Sequence, residues 1–411
     1  MSGAEQAQSE AIRPPGNLLP ILVATNSLGL AATSIYAPSL PAIALALQVS
    51  APAVQFTMTV YLVAYGGGML LVGPLSDHLG RRRLLIAGTT LFALASALAA
   101  FANRIEVLLV ARALQAVGAC TGMALGRAIV RDVFSHSGTA RAMAMISIAL
   151  GITPILAPLV GGYLQVWWGW RANFVFLALA GAAITAAVLW NIPETKQTHA
   201  GGDPKPPLLA GLSRLLRERR YLGYTLVIGG TSSMFYAFLT AAPLILITRL
   251  GVTPDAFGRY LVLGTCGTVL GSVWSRHQVD NVGVDYLIRI GVVALFLAGL
   301  LLALLASFAH PWAIVAPLFL VALGIGLCLP NANAGGLGIF PQFAGAAAGL
   351  SGCIQMIFCS AATLTMTVTN NRTALPLAGC WVCAALVACA GALLARARGP
   401  SVGDPRLPAA A

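Results

Sequence analysis

Charge is what this chain has least of. Only 9% of its 411 residues are Asp, Glu, Lys or Arg, while 58% are hydrophobic, against roughly 25% charged in an ordinary soluble domain. That leaves too little charge to clothe a water-soluble surface, which excludes a large soluble core as the architecture. Acids are scarcest, with 12 in all. Glu5, Glu10, Asp77, Glu106, Asp132, Glu194, Asp203, Glu218, Asp255, Asp280, Asp285 and Asp404 all avoid the middle of the apolar runs, and the five histidines lie outside the runs or at their edges. A membrane enzyme would need a nucleophile with its base, or a set of metal ligands, among apolar residues, and this inventory supplies neither. There is no G-x-x-x-x-G-K-[ST] loop, so the chain has no ATP-driven pump chemistry of its own. The dyad alternation of an outer-membrane barrel is missing too. Neither a cofactor nor a metal is expected. The eight cysteines all fall in apolar runs, where free Cys acts as a small hydrophobe. Cys380-x-x-Cys383 lacks the partners and solvent access that redox or metal chemistry requires. Residues 1–17 carry Glu5, Glu10 and Arg13 without a basic leader or cleavage site, and are read as a polar tail rather than a signal peptide.

What is present is length. A hydrocarbon core about 30 Å thick takes roughly 20 helical residues to cross. The apolar runs predict twelve such helices, near 18–41, 52–75, 84–102, 106–130, 140–165, 172–192, 222–248, 257–276, 287–308, 312–333, 343–369 and 374–395. Trp167, Trp168, Trp170 and Trp312 stand where an interfacial aromatic belt belongs. Of the 24 Lys and Arg residues, five (Arg104, Arg171, Arg249, Arg259, Arg372) fall on one side and Arg112 lies within a span. The rest fall on the side of the termini and the 193–221 segment. By the positive-inside rule that side is the cytoplasm, so the net charge of +12 reads as topology and not as nucleic-acid binding. The expected organisation is a cytoplasmic tail (1–17), a six-helix bundle (18–192), a linker (193–221), a second six-helix bundle (222–396) and a tail (397–411). Pro193, Pro204, Pro206 and Pro207 suit an irregular linker. Its second part alternates leucines with Arg214, Arg217, Arg219 and Arg220, the pattern of an amphipathic helix on the membrane face.

Several local sequences carry more than topology. Between the second and third spans stands Gly73-Pro74-Leu75-Ser76-Asp77-His78-Leu79-Gly80-Arg81-Arg82-Arg83, where glycines permit a sharp turn and the acid can pair with a base or cap a neighbouring helix. The fourth span reads Arg112-Ala-Leu-Gln115-Ala-Val-Gly118 and ends Arg127-Ala-Ile-Val-Arg131-Asp132. A charge inside a span is costly and marks a functional candidate, though snorkelling or a structural pair would also hold it. The fifth contains Thr153-Pro154, Ala157-Pro158 and Gly161-Gly162, in which prolines kink the helix and small residues allow close packing. The first span ends Tyr36-Ala-Pro38-Ser-Leu-Pro41, and the tenth and eleventh hold Pro330-Asn331-Ala-Asn333, Gly345 to Leu350 and Gln355-Met356.

These strings resemble the major facilitator superfamily, and within it the Bcr/CflA bicyclomycin-resistance exporters, over about 18–395. The loop is similar to the superfamily signature G-x-L-x-D-x-x-G-R-[RK], and the fifth span to the antiporter motif of drug exporters, with Ala157 where that motif has glycine. The resemblance implies an all-α protein of twelve membrane helices, two six-helix bundles around a central cavity, in the bacterial inner membrane with both termini cytoplasmic. It implies a monomer that exports small drug-like organic compounds by alternating access in exchange for protons. Its partners would be the substrate, protons and membrane lipids. Gating residues would be Gly73, Asp77, Gly80, Arg81, Arg131, Pro154, Pro158, Gly161 and Gly162, with Arg81 and Arg131 as partners of Asp77.

The sequence departs from that family at one place that matters. Many such exporters have an Asp two residues before the helix 1 tyrosine; here it is Ser34. Proton coupling would then fall to Glu106, Asp77 or Asp132, or to an ionisable substrate, or be absent. Arg112 cannot serve, because it does not release its proton. Asn26, Ser34, Tyr36, Arg112, Gln115, Tyr236, Asn331, Asn333 and Gln355 are the candidates for the cavity, each readable equally as interhelical glue. Arg112 also leaves open a transporter of an anionic or zwitterionic metabolite, siderophore or amino-acid derivative.

Overall fold

The computed structural model describes residues 17–134, 136–195, 208–339, 344–369 and 373–396. Among these there is no strand. Twelve long helices follow the apolar runs: α1 Leu18–Ser34, α2 Ala51–Leu79, α3 Arg81–Ala100, α4 Ile105–Val133, α5 His136–Trp168, α6 Arg171–Asn191, α7 Arg219–Pro243, α8 Pro254–Val282, α9 Val284–Leu305, α10 Trp312–Gly338, α11 Ala344–Val368 and α12 Leu375–Arg396. Eleven are long and apolar enough to cross a bilayer. The other is α8, where the charge-free stretch between Arg259 and Arg276 is short and interrupted by Gly, Thr and Ser. Both tails, and the first part of the 193–221 linker apart from 193–195, lie outside the described residues.

The boundaries differ from the sequence reading in informative ways. The first predicted span breaks after Ser34 into a 3-10 turn, Ala37–Ser39, and a short helix, Leu40–Ala46. Pro38 and Pro41 sit at the starts of these two pieces, where a missing N–H is harmless. α8 extends well beyond 257–276 at both ends. Trp170 is not in the interfacial belt: it is 5% exposed and packs edge-on against Phe174. Trp167 and Trp168 do lie out at 64% and 69% exposure, and Trp190, at the end of α6, is 84% exposed.

α2 turns into α3 through Gly80 alone, and α8 into α9 through Gly283 alone, with φ of +89° and +79°. Only glycine takes such a backbone without strain. Both glycines follow the same local string, Asp-x-x-Gly (Asp77 to Gly80 and Asp280 to Gly283), a correspondence between the two sets of six helices. α5 carries Pro154 and Pro158 inside the helix, and α10 carries Pro317 and Pro330.

Within each set, glycines let helices approach to backbone contact. A Cβ at Gly118 would lie 2.6 Å from Gly88 O of α3, and one at Gly391 would lie 2.6 Å from Gly223 O of α7. Small residues replace the hydrophobic driving force that lipid removes between helices. The two sets meet along α2 with α11 and α5 with α8. The end of the bundle that bears residues 193–195 and 208–221 is the linker end, and the opposite end is the far end.

Candidate functional site

Arg112, two turns into α4, is wholly enclosed, at 0% exposure. Its Nη1 donates to Ala32 O of α1 at 3.0 Å and to Gln115 Oε1 one turn on at 2.5 Å. Gln115 Nε2 donates to Ser96 Oγ of α3 at 2.7 Å, and Ser96 donates to Phe92 O. The guanidinium carbon sits 4.3 Å from the centre of the Tyr36 ring and 4.1 Å from that of Tyr61. Each desolvated cation–π contact is worth about 2 kcal/mol. The rings are pinned by their hydroxyls. Tyr61 Oη donates to Gly29 O at 3.0 Å. Tyr36 Oη lies 3.1 Å from Thr57 Oγ1, whose own proton goes to Val54 O.

The charge is thus balanced by two aromatic faces, a helix carbonyl and an amide chain. The ion pairs Arg81–Asp132 and Arg259–Asp255 do not involve it. Nε and Nη2 have no hydrogen-bond partner among the described residues. An apolar groove of about 570 Å³ lies between α5 and α6 over Ser27 and Ala31 of α1, and none of Arg112's contacts lines it.

The far end is closed by contact between the two sets of helices. A Cβ at Gly258 of α8 would lie 2.7 Å from Leu159 Cα and 2.9 Å from Pro158 O of α5, and one at Gly162 would lie 3.0 Å from Asp255 Cα. Gln55 Nε2 of α2 donates to Thr240 O of α7 at 2.8 Å, and Thr59 shares a proton with Thr363 of α11 at 2.8 Å. Arg259, held 2.6 Å from Asp255, reaches Tyr163 Oη of α5 at 3.4 Å. Tyr236 of α7 meets the Thr33 side chain of α1.

At the linker end the first set of helices is strapped to itself. Arg81 pairs with Asp132 of α4, and its backbone N–H donates to Glu194 Oε1 at 2.9 Å. Glu194 thereby caps the start of α3, where a carboxylate suits the helix dipole. Arg82 donates to Leu189 O and Ile192 O, closing the end of α6.

The expected cavity residues other than Tyr236 fall into two groups, and the gating and proton-carrying residues form two more. Arg112, Gln115 and Tyr36 are brought together, but sealed rather than presented to a cavity in this conformation. Asn26, Ser34, Asn331, Asn333 and Gln355 are scattered, each donating to a helix carbonyl or a neighbouring serine, and Asn26 Oδ1 has no hydrogen-bond partner among the described residues. Asn26 Nδ2 donates to Leu22 O, Ser34 Oγ to Leu30 O and Asn333 Nδ2 to Leu329 O. Asn331 ties to Ser275 of α8 at 2.6 Å, and Gln355 to Ser232 of α7 at 2.7 Å. Among the gating residues, Gly80, Arg81, Pro158, Gly161 and Gly162 sit at helix crossings and junctions, while Gly73 is exposed with open space beside it.

Pro154 is half-buried in α5. Arg131 is exposed, with its guanidinium near Gly345 at the start of α11. The Asp77 side chain lies outside the described residues. Of the groups expected to carry protons, Glu106 is exposed in the first turn of α4, and Asp132 is engaged by Arg81. Sequence reasoning missed Tyr61, Gln55, Thr240 and the strap made by Glu194.

Twelve long helices in two sets of six, eleven of them apolar enough to cross a bilayer, a buried arginine paired with no carboxylate among the described residues, and a glycine-lined seam between the sets are the architecture of a membrane transporter. Residues 22–363 match the model of the Major Facilitator Superfamily, and the chain belongs to that superfamily. It is similar to Multidrug resistance protein D of Escherichia coli, with 30% identity over 343 residues that cover 83% of this chain and 86% of that one. It is also similar to the Bicyclomycin resistance protein homolog of Haemophilus influenzae, at 29% identity over 78% of this chain and 81% of that one. In three dimensions it superimposes on a D-xylose-proton symporter with a TM-score of 0.74 at 16% identity, covering 94% of this chain and 98% of that one. At that identity the likeness is one of fold.

Proposed function

We propose that the protein exports small, partly apolar organic compounds across the bacterial inner membrane by alternating access, in exchange for protons. In this reading the linker end and both termini face the cytoplasm, and the protein works as a monomer of two six-helix bundles, 18–192 and 222–396. The observation that carries it is the far-end seam. Contacts between the two sets run through glycines, helix backbone and a few hydrogen bonds, and the one charged donor among those named, Arg259 to Tyr163, keeps its Asp255 partner on α8 when the surface parts. The named resistance roles of the two bacterial relatives supply the substrate class. Arg112 with Gln115, Tyr36 and Tyr61 forms the polar node beside the path. Glu106, Asp77 or Asp132 takes the proton, and the gating residues act at the two ends.

A second reading, transport of an anionic or zwitterionic metabolite, rests on Arg112, whose Nε and Nη2 await a partner. Bicyclomycin flux into proteoliposomes, measured with and without an imposed pH gradient, tests both. Gradient-driven accumulation is expected. Flux that ignores the gradient removes the proton coupling. Absence of bicyclomycin flux alongside transport of an anionic amphiphile replaces the first reading by the second.

A further inference from the structure

The helix Leu208–Arg217, which precedes α7, has two sides that do different things. Leu215 is fully buried, in a small cluster with Tyr221 of α7 and Ala347 and Leu350 of α11. Tyr221 Oη donates to Ala347 O at 2.7 Å, within the first turn of α11. The helix therefore fastens the linker-end starts of α7 and α11 together. On its other side Arg214, Leu216 and Arg217 are exposed, as is Arg219 just beyond, with Leu216 at 49%.

Cations beside an exposed leucine are the composition that settles at the boundary between headgroups and acyl chains. The 84%-exposed Trp190 at the linker end of α6 marks such a level on the same end of the bundle.

We propose that the helix Leu208–Arg217 is a latch set by anionic lipid: acidic headgroups bind Arg214, Arg217 and Arg219, and so hold Leu215 in the cluster that joins α7 to α11. Charge complementarity selects the partner. From 213 to 220 the chain carries four arginines against the single acid Glu218, and a leaflet rich in acidic lipid attracts each basic residue near its surface. Among residues 213–217, neutral lipid offers only the exposed Leu216 and pairs none of the arginines. The latch rests on the linker end lying at a membrane face, and is independent of what is transported.

The test is hydrogen exchange of the backbone amides of 213–222 in the full-length protein. One set of nanodiscs holds phosphatidylcholine alone, and the other equal parts phosphatidylcholine and phosphatidylglycerol. We expect exchange about tenfold slower with phosphatidylglycerol, a difference removed by high salt. The double variant R214Q/R217Q should exchange at the fast rate in both, while the melting temperature of the rest of the bundle holds. Leu215→Ala should also exchange fast in both, with its charge intact. Equal protection of the unaltered protein in the two lipids overturns the proposal, as does a lipid difference that survives in R214Q/R217Q. An effect of phosphatidylglycerol spread evenly over all helices also overturns it, as general bilayer stabilisation.

Discussion

Gly258→Ala is a direct perturbation of the seam between α5 and α8. The new Cβ would stand 2.7 Å from Leu159 Cα and 2.9 Å from Pro158 O, whereas ordinary contact begins at 3.4 Å. Both neighbours are helix backbone, so no rotamer change relieves the overlap of about 0.7 Å; the two helices have to part. Overpacking of this kind costs about 1–3 kcal/mol. The cost falls only on the state in which the far end is closed, because the contact joins the two sets of helices. Roughly five- to 150-fold of population should therefore move toward a far end that is open.

Spin labels on Val166 and Thr253, both exposed near that end, would report it by pulsed distance measurement in a background lacking the eight native cysteines. The long-distance fraction should rise at least fivefold. Gly267→Ala is the control. Its Cβ would meet Leu323 N at 2.9 Å inside the second set of helices, so it should lower the melting temperature and leave the distances alone. An unchanged distribution in Gly258→Ala, with the protein folded, would refute the claim that this seam is the far gate.

Arg112→Ala should lower transport at least tenfold, and Arg112→Lys should recover little of it, since an ammonium cannot lie flat between two rings while donating to Ala32 and Gln115; flux assays on both variants decide. Tyr61→Phe keeps the face but frees Gly29 O, and should lose only about 1 kcal/mol of stability, whereas Tyr61→Ala should resemble Arg112→Ala in flux. Asp132→Asn breaks the pair with Arg81 and, like Asp77→Asn, should reduce transport severalfold without loss of membrane insertion, as shown by flux set against quantitative blotting. Glu106→Gln separates the candidates for the proton: loss of the dependence on the pH gradient with substrate movement intact assigns it to Glu106, and a full gradient response clears Glu106 of the coupling role.

The helices were legible because a bilayer imposes one length and one composition on every span, and eleven of the twelve helices meet it. α8 shows the limit. Its charge-free middle is short and broken by Gly, Thr and Ser, and Gly258, Gly267 and Gly271 pack it against neighbouring backbone. Arg112 was legible as an anomaly, a charge inside an apolar run, and Gln115 as its neighbour by helical spacing. Tyr61 was not, because an aromatic residue in a span looks like any lipid-facing or core ring until the fold places it against a cation. The scattered asparagines stayed open between cavity residue and interhelical glue for a related reason. A sequence shows a polar group in a membrane, but not that Asn331 already has Ser275 or that Asn333 already has its own helix. The repeated Asp-x-x-Gly at 77–80 and 280–283 was readable in principle, yet four residues carry little weight until two matching positive-φ turns reveal the correspondence.

The enclosure of Arg112 has an electrical consequence. A carboxylate partner would cancel this charge, and a titratable group could shed it, but aromatic faces do neither, so a full positive charge stays within the low-dielectric layer throughout. The membrane voltage acts on it at all times. One elementary charge carried across the whole potential is worth about 2.3 kcal/mol per 100 mV. A rocking motion that shifted Arg112 through a fifth of the field would therefore contribute on the order of 0.5 kcal/mol at that voltage. The two end states would then differ in energy by an amount set by the cell's energised state, even when no proton moves.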